Sequence, residues 1–177
     1  DSTSDTELHC IIQYGPNGII TADPDKIRTA YEIYPIENTI VRHPFIIGHR
    51  GIPDQAPENT MPSFKRAVEC GAETLETDIH ITSDKQLIIM HDDNLGRTSE
   101  GSQPVREMTF DELTHTTADK LWKGTQYEGA LIPSYEEFLE YNKNNDCVLF
   151  VEIKENNSEI VDKFLEITDK YDMRSHI

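Results

Sequence analysis

No apolar run in this sequence approaches the ~20 residues that a membrane-spanning helix needs. Nor does it open on a basic and apolar leader: the first residues are Asp1-Ser2-Thr3-Ser4-Asp5, without a Met. The expectation is a processed form or a piece of something longer. Its compartment is then extracellular or membrane-associated if upstream residues were removed, and otherwise cytoplasmic. Cysteine is scarce, with Cys10, Cys70 and Cys147 only. An odd number at spacings that fit no zinc pattern argues against a disulfide framework and a zinc knuckle. Free, mostly buried thiols are expected, since such a thiol behaves as a small hydrophobe. Positive charge is also short: 16 Lys and Arg face 33 Asp and Glu, a formal net charge of −17. That balance excludes neither fold nor catalysis, but it disfavours nucleic acid and anionic membrane surfaces as partners. An anionic ligand would need local positive charge, from a metal or from a few placed Arg and Lys.

What is present suits one soluble domain, with 177 residues of which 36% are hydrophobic, enough for a core. Residues 9–45 hold β-prone pieces at His9–Tyr14 and Ile19–Thr21. Turn signals separate them at Gly15-Pro16-Asn17-Gly18 and Pro24-Asp25. Residues 1–44 therefore read as a small β-prone N-terminal appendage, and 45–177 as the main domain. From Phe45 the pattern alternates. Phe45 to Gly48, Glu73 to Ile81, Gln86 to Met90 and Cys147 to Ile153 read as strands. Met61 to Cys70, Thr109 to Leu113, Tyr135 to Asn142 and Ser158 to Lys170 read as helices. Strands alternating with helices predict an α/β fold with parallel strands. The connection Ile79–Lys85 is too short for a helix and requires a tight return. Residues 92–133 form a polar, turn-rich excursion that behaves as an insertion or active-site loop.

Ionisable residues gather where these strands end. Residues two apart on a strand share a face, so Glu76 pairs with Asp78, and Glu152 with Lys154. His49-Arg50 follows the first strand of the main domain and His91-Asp92 follows the Gln86–Met90 strand. In a parallel barrel the carboxyl ends of the strands are where sites are built. Glu76, Asp78 and Glu152 form a hard oxygen set that suits Mg²⁺ or Ca²⁺ better than zinc. Two histidines could divide proton transfer between them. Arg50 and Lys154 could meet phosphate oxygens, one as a planar fork and one as a point charge. Any one of these pairs alone would ordinarily be a solvated surface feature, with Glu152 and Lys154 an exposed ion pair worth roughly 0–1 kcal/mol. Four coincidences at four strand ends argue for a site.

The motifs then become specific. Ile47-Gly48-His49-Arg50-Gly51 with Pro57-Glu58-Asn59-Thr60 resembles the opening signature of the glycerophosphodiester phosphodiesterase family. Glu76-Thr77-Asp78, Met90-His91-Asp92 with Leu95 and Arg97-Thr98, Ile132-Pro133-Ser134-Tyr135-Glu136-Glu137, and Val151-Glu152-Ile153-Lys154 are similar to its later blocks, in the same order. The resemblance implies a TIM (β/α)8-type barrel and a divalent cation, Ca²⁺ or Mg²⁺, on Glu76, Asp78 and Glu152. It implies His49 and His91 as the acid–base pair, and substrate contacts from Arg50 and Lys154. Glu58 and Asn59 would support the site from their loop, with Glu58 orienting Arg50. The implied reaction takes a small glycerophosphodiester to glycerol 3-phosphate and an alcohol. A closed barrel takes about 250 residues, so residues 45–177 amount to its N-terminal half, about four strands with Met173–Ile177 expected to start a fifth. The expectation is a truncated barrel, completed by a missing C-terminal half or by another copy in a homo-oligomer. Two alternatives stand beside the small-substrate enzyme. One is a lysophospholipase-D-like activity on lipid substrates, which an apolar groove near Leu121 and Trp122 would favour, although those two residues are expected in a core or lid. The other is a non-catalytic truncated binding module.

Overall fold

The computed structural model describes residues 3–34 and 44–177. Its sheet has five strands: β1 (Gly18–Thr21), β2 (Phe45–His49), β3 (Thr74–Ile81), β4 (Leu87–Ile89) and β5 (Val148–Ile153). β1, β2, β3 and β5 run parallel in that spatial order, and β4 returns antiparallel on the upper end of β3. That return is the tight connection the sequence required: Thr82 and Gln86 close it, and Lys85 takes a left-handed conformation with φ 64°.

Among the described residues six α-helices accompany the sheet: α1 (Asp5–Gln13), α2 (Pro24–Tyr31), α3 (Met61–Glu69), α4 (Phe110–Thr114), α5 (Tyr135–Asn142) and α6 (Ser158–Lys170). The last four begin at side-chain caps. Thr60, Thr109, Ser134 and Asn157 each accept a hydrogen bond from a backbone N–H of the first turn. Phe64, Ala67, Tyr135, Phe138, Leu139, Ile160 and Ile167 come off α3, α5 and α6 onto one face of the sheet. There they bury Leu75, Ile79 and Leu149. Phe64 and Phe138 meet with ring centroids 4.6 Å apart. Burying side chains of this size stabilises by roughly 1.5–3 kcal/mol each.

Three expectations are corrected. His9–Tyr14 is not a strand, because it falls on the end of α1 and on its C-cap. Ser4 and Glu7 form a reciprocal capping box there, and Leu8 and Ile12, four residues apart, are buried on one side. Pro24-Asp25 is not a turn between strands. It opens α2, with Asp23 as N-cap and Pro24 in the first turn. Met173–Ile177 does not begin a further strand, since Arg174–His176 is a single 3-10 turn. Residues 1–2 and 35–43 of the expected appendage lie outside the described residues. Its Ile19–Thr21 strand is real, and as part of β1 it pairs with β2 in the main sheet, from Gly18 opposite Phe45 to Thr21 opposite Gly48.

The 92–133 excursion packs on its own account. Leu95, Val105, Leu113, Ala118 and Ile132 close over Ile88 and Met90 of the β4 return as a second small core. It is therefore an ordered cap on the sheet's upper end. Two of the three cysteines are buried and all are free, but Cys10 is exposed on α1.

Candidate active site

The face of the sheet turned away from the helices has two parts. Its lower part is apolar: Phe45, Ile47, Val148 and Phe150 border a recess of about 330 Å³. Its upper part, at the carboxyl ends of the strands, carries the ionisable groups. The β3–β5 register sets Asp78 beside Glu152, and the β2–β3 register sets His49 beside Glu76. Glu76, Asp78 and Glu152 each present a carboxylate oxygen such that the three lie within 4.8 Å of one another.

The turn after β2 explains its glycines. A side chain on Gly48 would meet the Gly51 carbonyl oxygen at 2.7 Å, and one on Gly51, at φ 86°, would run into Ser63. Arg50 and Asn59 also lie in the left-handed region, at φ 53° and 55°. For Arg this is an uncommon conformation of the kind that clusters at functional sites. It aims the Arg50 backbone N–H at Glu76 Oε2, 2.9 Å away. The Arg50 side chain reaches back to Glu58 Oε1 at 3.0 Å and stands 3.5 Å from Asp78 Oδ2.

Asp78 is fully buried. Its Oδ2 accepts from Asn59 Nδ2 at 2.8 Å, and Asn59 is itself held by Thr77. Lys154 Nζ stands 2.8 Å from Asp78 Oδ1 and donates to Glu152 Oε1 at 2.7 Å. The Lys154–Asp78 contact has ion-pair distance without hydrogen-bond alignment, so Asp78 Oδ1 is buried without a hydrogen bond. Burial works to raise the Asp78 carboxyl, but Lys154 and Asn59 carry it below its ordinary value. Glu76 goes the other way: burial, then the Asp78 charge, push it up to about 7, and the Arg50 N–H offsets only part of this.

His49 Nε2 lies 3.9 Å from Glu76 Oε2. Burial first, then Arg50, lowers its pKa against the pull of Asp78 and Glu58. His91 is half-buried after β4, with Nδ1 2.8 Å from Asp92 Oδ1. Asp92 in turn accepts from Arg97 Nε at 2.7 Å, and Arg97 clasps both oxygens of Glu58 at 2.7 Å. Burial opposes, but these Arg contacts hold both Glu58 and Asp92 below their ordinary values.

All nine residues expected from the sequence, His49, Arg50, Glu58, Asn59, Glu76, Asp78, His91, Glu152 and Lys154, thus fall at one end of the sheet. Asn59 and Glu58 bond to protein groups there, to Asp78 and to the two arginines. Sequence reasoning missed the Asp92–Arg97 link. Its one signal was that Asp92 directly follows His91. Nothing in the spacing told that Arg97, five residues on in a turn-rich stretch, would fold back to both Asp92 and Glu58.

Residues 49–174 match the model of the glycerophosphoryl diester phosphodiesterase family. The chain belongs to this family. YhdW of Bacillus subtilis is 38% identical over 117 residues, 66% of this chain and 47% of that protein. A glycerophosphodiester phosphodiesterase of Caldanaerobacter subterraneus is 36% identical over 109 residues, 62% of this chain and 44% of that protein. Among solved structures, an Oleispira antarctica phosphodiesterase in complex with the product sn-glycerol-3-phosphate superposes with a TM-score of 0.66 at 31% identity. It covers 72% of this chain and 53% of that one. The chain spans about half the length of the phosphodiesterase relatives it matches, and its parallel sheet corresponds to part of the family's barrel.

Proposed function

We propose that this chain carries the metal-binding and acid–base machinery of an enzyme that hydrolyses small glycerophosphodiesters to glycerol 3-phosphate and an alcohol. The observation that carries this reading is the meeting of Glu76, Asp78 and Glu152 within 4.8 Å, from two strands, beside two histidines. The donor set fits a hard divalent cation, Ca²⁺ or Mg²⁺. All three groups offer oxygen, Asp78 Oδ1 is buried without a hydrogen bond, and Glu76 is burdened by its neighbour's charge. A cation held there would supply Lewis-acid stabilisation of a phosphate oxygen.

The protein groups divide the remaining work. His49, whose neutral form burial and then Arg50 favour, takes the proton of the attacking hydroxyl. That hydroxyl is a water or the substrate's own glycerol hydroxyl, the latter closing a cyclic phosphate that a water then opens to glycerol 3-phosphate. His91, steadied on Asp92, gives its proton to the departing alcohol oxygen. Arg50 and Lys154 meet phosphate oxygens; Glu58, itself held by Arg97, positions Arg50, and Asn59 positions Asp78, with which Lys154 pairs. The lipid-directed alternative needs an apolar groove at Leu121 and Trp122. The recess there, beside Pro57 and Glu58, has a volume of about 60 Å³, far below the ~300 Å³ at which ligand pockets begin. Leu121 is largely exposed and is not a core residue.

The test is release of glycerol 3-phosphate from glycerophosphodiesters with Ca²⁺ or Mg²⁺ and then with a chelator. Turnover that disappears with the metal, and in folded His49→Ala and His91→Ala proteins, supports the enzyme. A folded protein with metal that releases nothing supports the binding module.

A further inference from the structure

A second polar recess opens beside His91, outside the residues given roles above. Its volume is about 260 Å³, and His80, Asp93, Asn94, Arg106 and Glu155 line it. His80 lies two residues beyond Asp78 on the same face of β3, roughly 7 Å further along by strand rise. Its ring is almost wholly buried, with Nδ1 2.8 Å from Glu155 Oε1 and Nε2 3.3 Å from the His91 carbonyl oxygen. One wall of the recess therefore touches the backbone of the candidate acid. The opposite wall is the turn 93–106, folded onto itself by the Asn94–Pro104 bridge and the Val105 N–H to Asp93 carbonyl bond.

One group in these walls lacks what its chemistry demands, and a second is free to donate. Glu155 Oε2 is buried with no hydrogen-bond partner, although Oε1 accepts from His80 and from the Ile81 N–H. Arg106 makes no ion pair among the described residues, although carboxylates outnumber cations two to one in this chain. An orphaned acceptor and an unpaired donor in one recess call for a ligand that donates and accepts at once. A hydroxyl does both. A quaternary ammonium has no N–H to give and no lone pair to accept with, so it leaves both groups without compensation.

We propose that this recess receives the alcohol portion of the diester and selects hydroxyl-bearing head groups. The assignment rests on the phosphodiesterase reading, and it names the substrate class of that same site: glycerophosphodiesters of polyols, ahead of choline esters. Glu155 accepts from one head-group hydroxyl and Arg106 donates to another, while the phosphate sits at the acid cluster.

The discriminating quantity is the ratio of kcat/KM for glycerophosphoglycerol to that for glycerophosphocholine. The expected ratio is above ten in the unaltered protein and falls about tenfold in Arg106→Ala, an exposed position whose change leaves the fold intact, and again in Glu155→Gln. A ratio near one, or one that neither variant moves, overturns the proposal. If neither substrate turns over, the phosphodiesterase reading fails, and the recess is judged by binding alone. NMR titration of the His80 imidazole then decides: glycerophosphoglycerol should shift it and glycerol 3-phosphate should not. Equal response to both, or to neither, overturns the assignment.

Discussion

Arg97 holds both carboxylate oxygens of Glu58 at 2.7 Å and, through Nε, Asp92 at the same distance. One guanidinium thereby joins the loop after β2 to the turn after β4. The first loop steers Arg50 through Glu58, and the second steers His91 through Asp92. A Lys cannot repeat this, because an ammonium offers a point charge where a planar fork is needed. Arg97→Ala should lower kcat about 100-fold, the scale set by ångström misplacement of catalytic groups. Arg97→Lys should recover only part of that. Because Arg97 is substantially exposed, its melting temperature should hold nearly steady. Steady-state kinetics beside thermal melts separate this outcome from a general loss of fold.

The sequence told much of this site because its signals were local. A strand of alternating residues puts Glu76 and Asp78 on one face wherever the strand lies, and a cap such as Ser134 marks its own helix. The neighbours of a strand are not local. That β5 pairs with β3 directly, and so sets Glu152 against Asp78, needed coordinates. The α1 error had a different origin. Ile11 and Ile12 favour strands, but the Ser4–Glu7 box and the Leu8–Ile12 stripe outweighed that preference once a surface existed to bury them. His80 and Glu155 escaped notice because their contact spans 75 residues.

Glu76 should show an opposition between stability and function. Its carboxyl is pushed up to about 7 by burial and by Asp78, so in the metal-free protein its ionised form is a burden. Glu76→Gln keeps an oxygen for the Arg50 N–H and removes the charge. At pH 8 the metal-free variant should melt a few degrees above the parent, on the scale of 2–4 °C per kcal/mol for a chain of this size. It should also lose most metal affinity and turnover. Calorimetric metal titration and differential scanning of both proteins test the two halves together. A variant that melts lower while still binding the ion would contradict this account of Glu76.

The apolar lower half of the site face bears on association. Phe45 and Phe150 are 55% and 47% exposed there. β1 and β5 end the parallel sheet on either side, and among the described residues neither has a strand partner on its outer edge. A flat apolar face with open edges seeks a partner. The 177-residue protein should therefore self-associate as its concentration rises, and Phe150→Lys should shift it toward monomer. Sedimentation velocity across a concentration series reads this directly. A parent chain that stays monomeric at high concentration would show the face to be tolerated in water.

Acid should loosen the 92–133 cap at one identifiable joint. Asp119 is buried and accepts from the Gly129 N–H at 2.6 Å and from Lys123 at 2.9 Å. These bonds, the Gly129 N–H foremost, hold its pKa at about 2, against the opposing effect of burial. Because the folded value lies below the ordinary 3.8, the unfolded chain binds the proton first as pH falls. The stabilisation is therefore complete above about pH 4 and is lost as the pH drops through about 2. Asp119→Ala should cost about 1–3 kcal/mol at pH 7, the scale for leaving buried partners unsatisfied. The gap between parent and variant should close progressively between roughly pH 4 and pH 2. Urea denaturation at stepped pH measures that gap, and a difference that stays constant down to pH 2 would assign the stabilisation to packing rather than to the Asp119 charge.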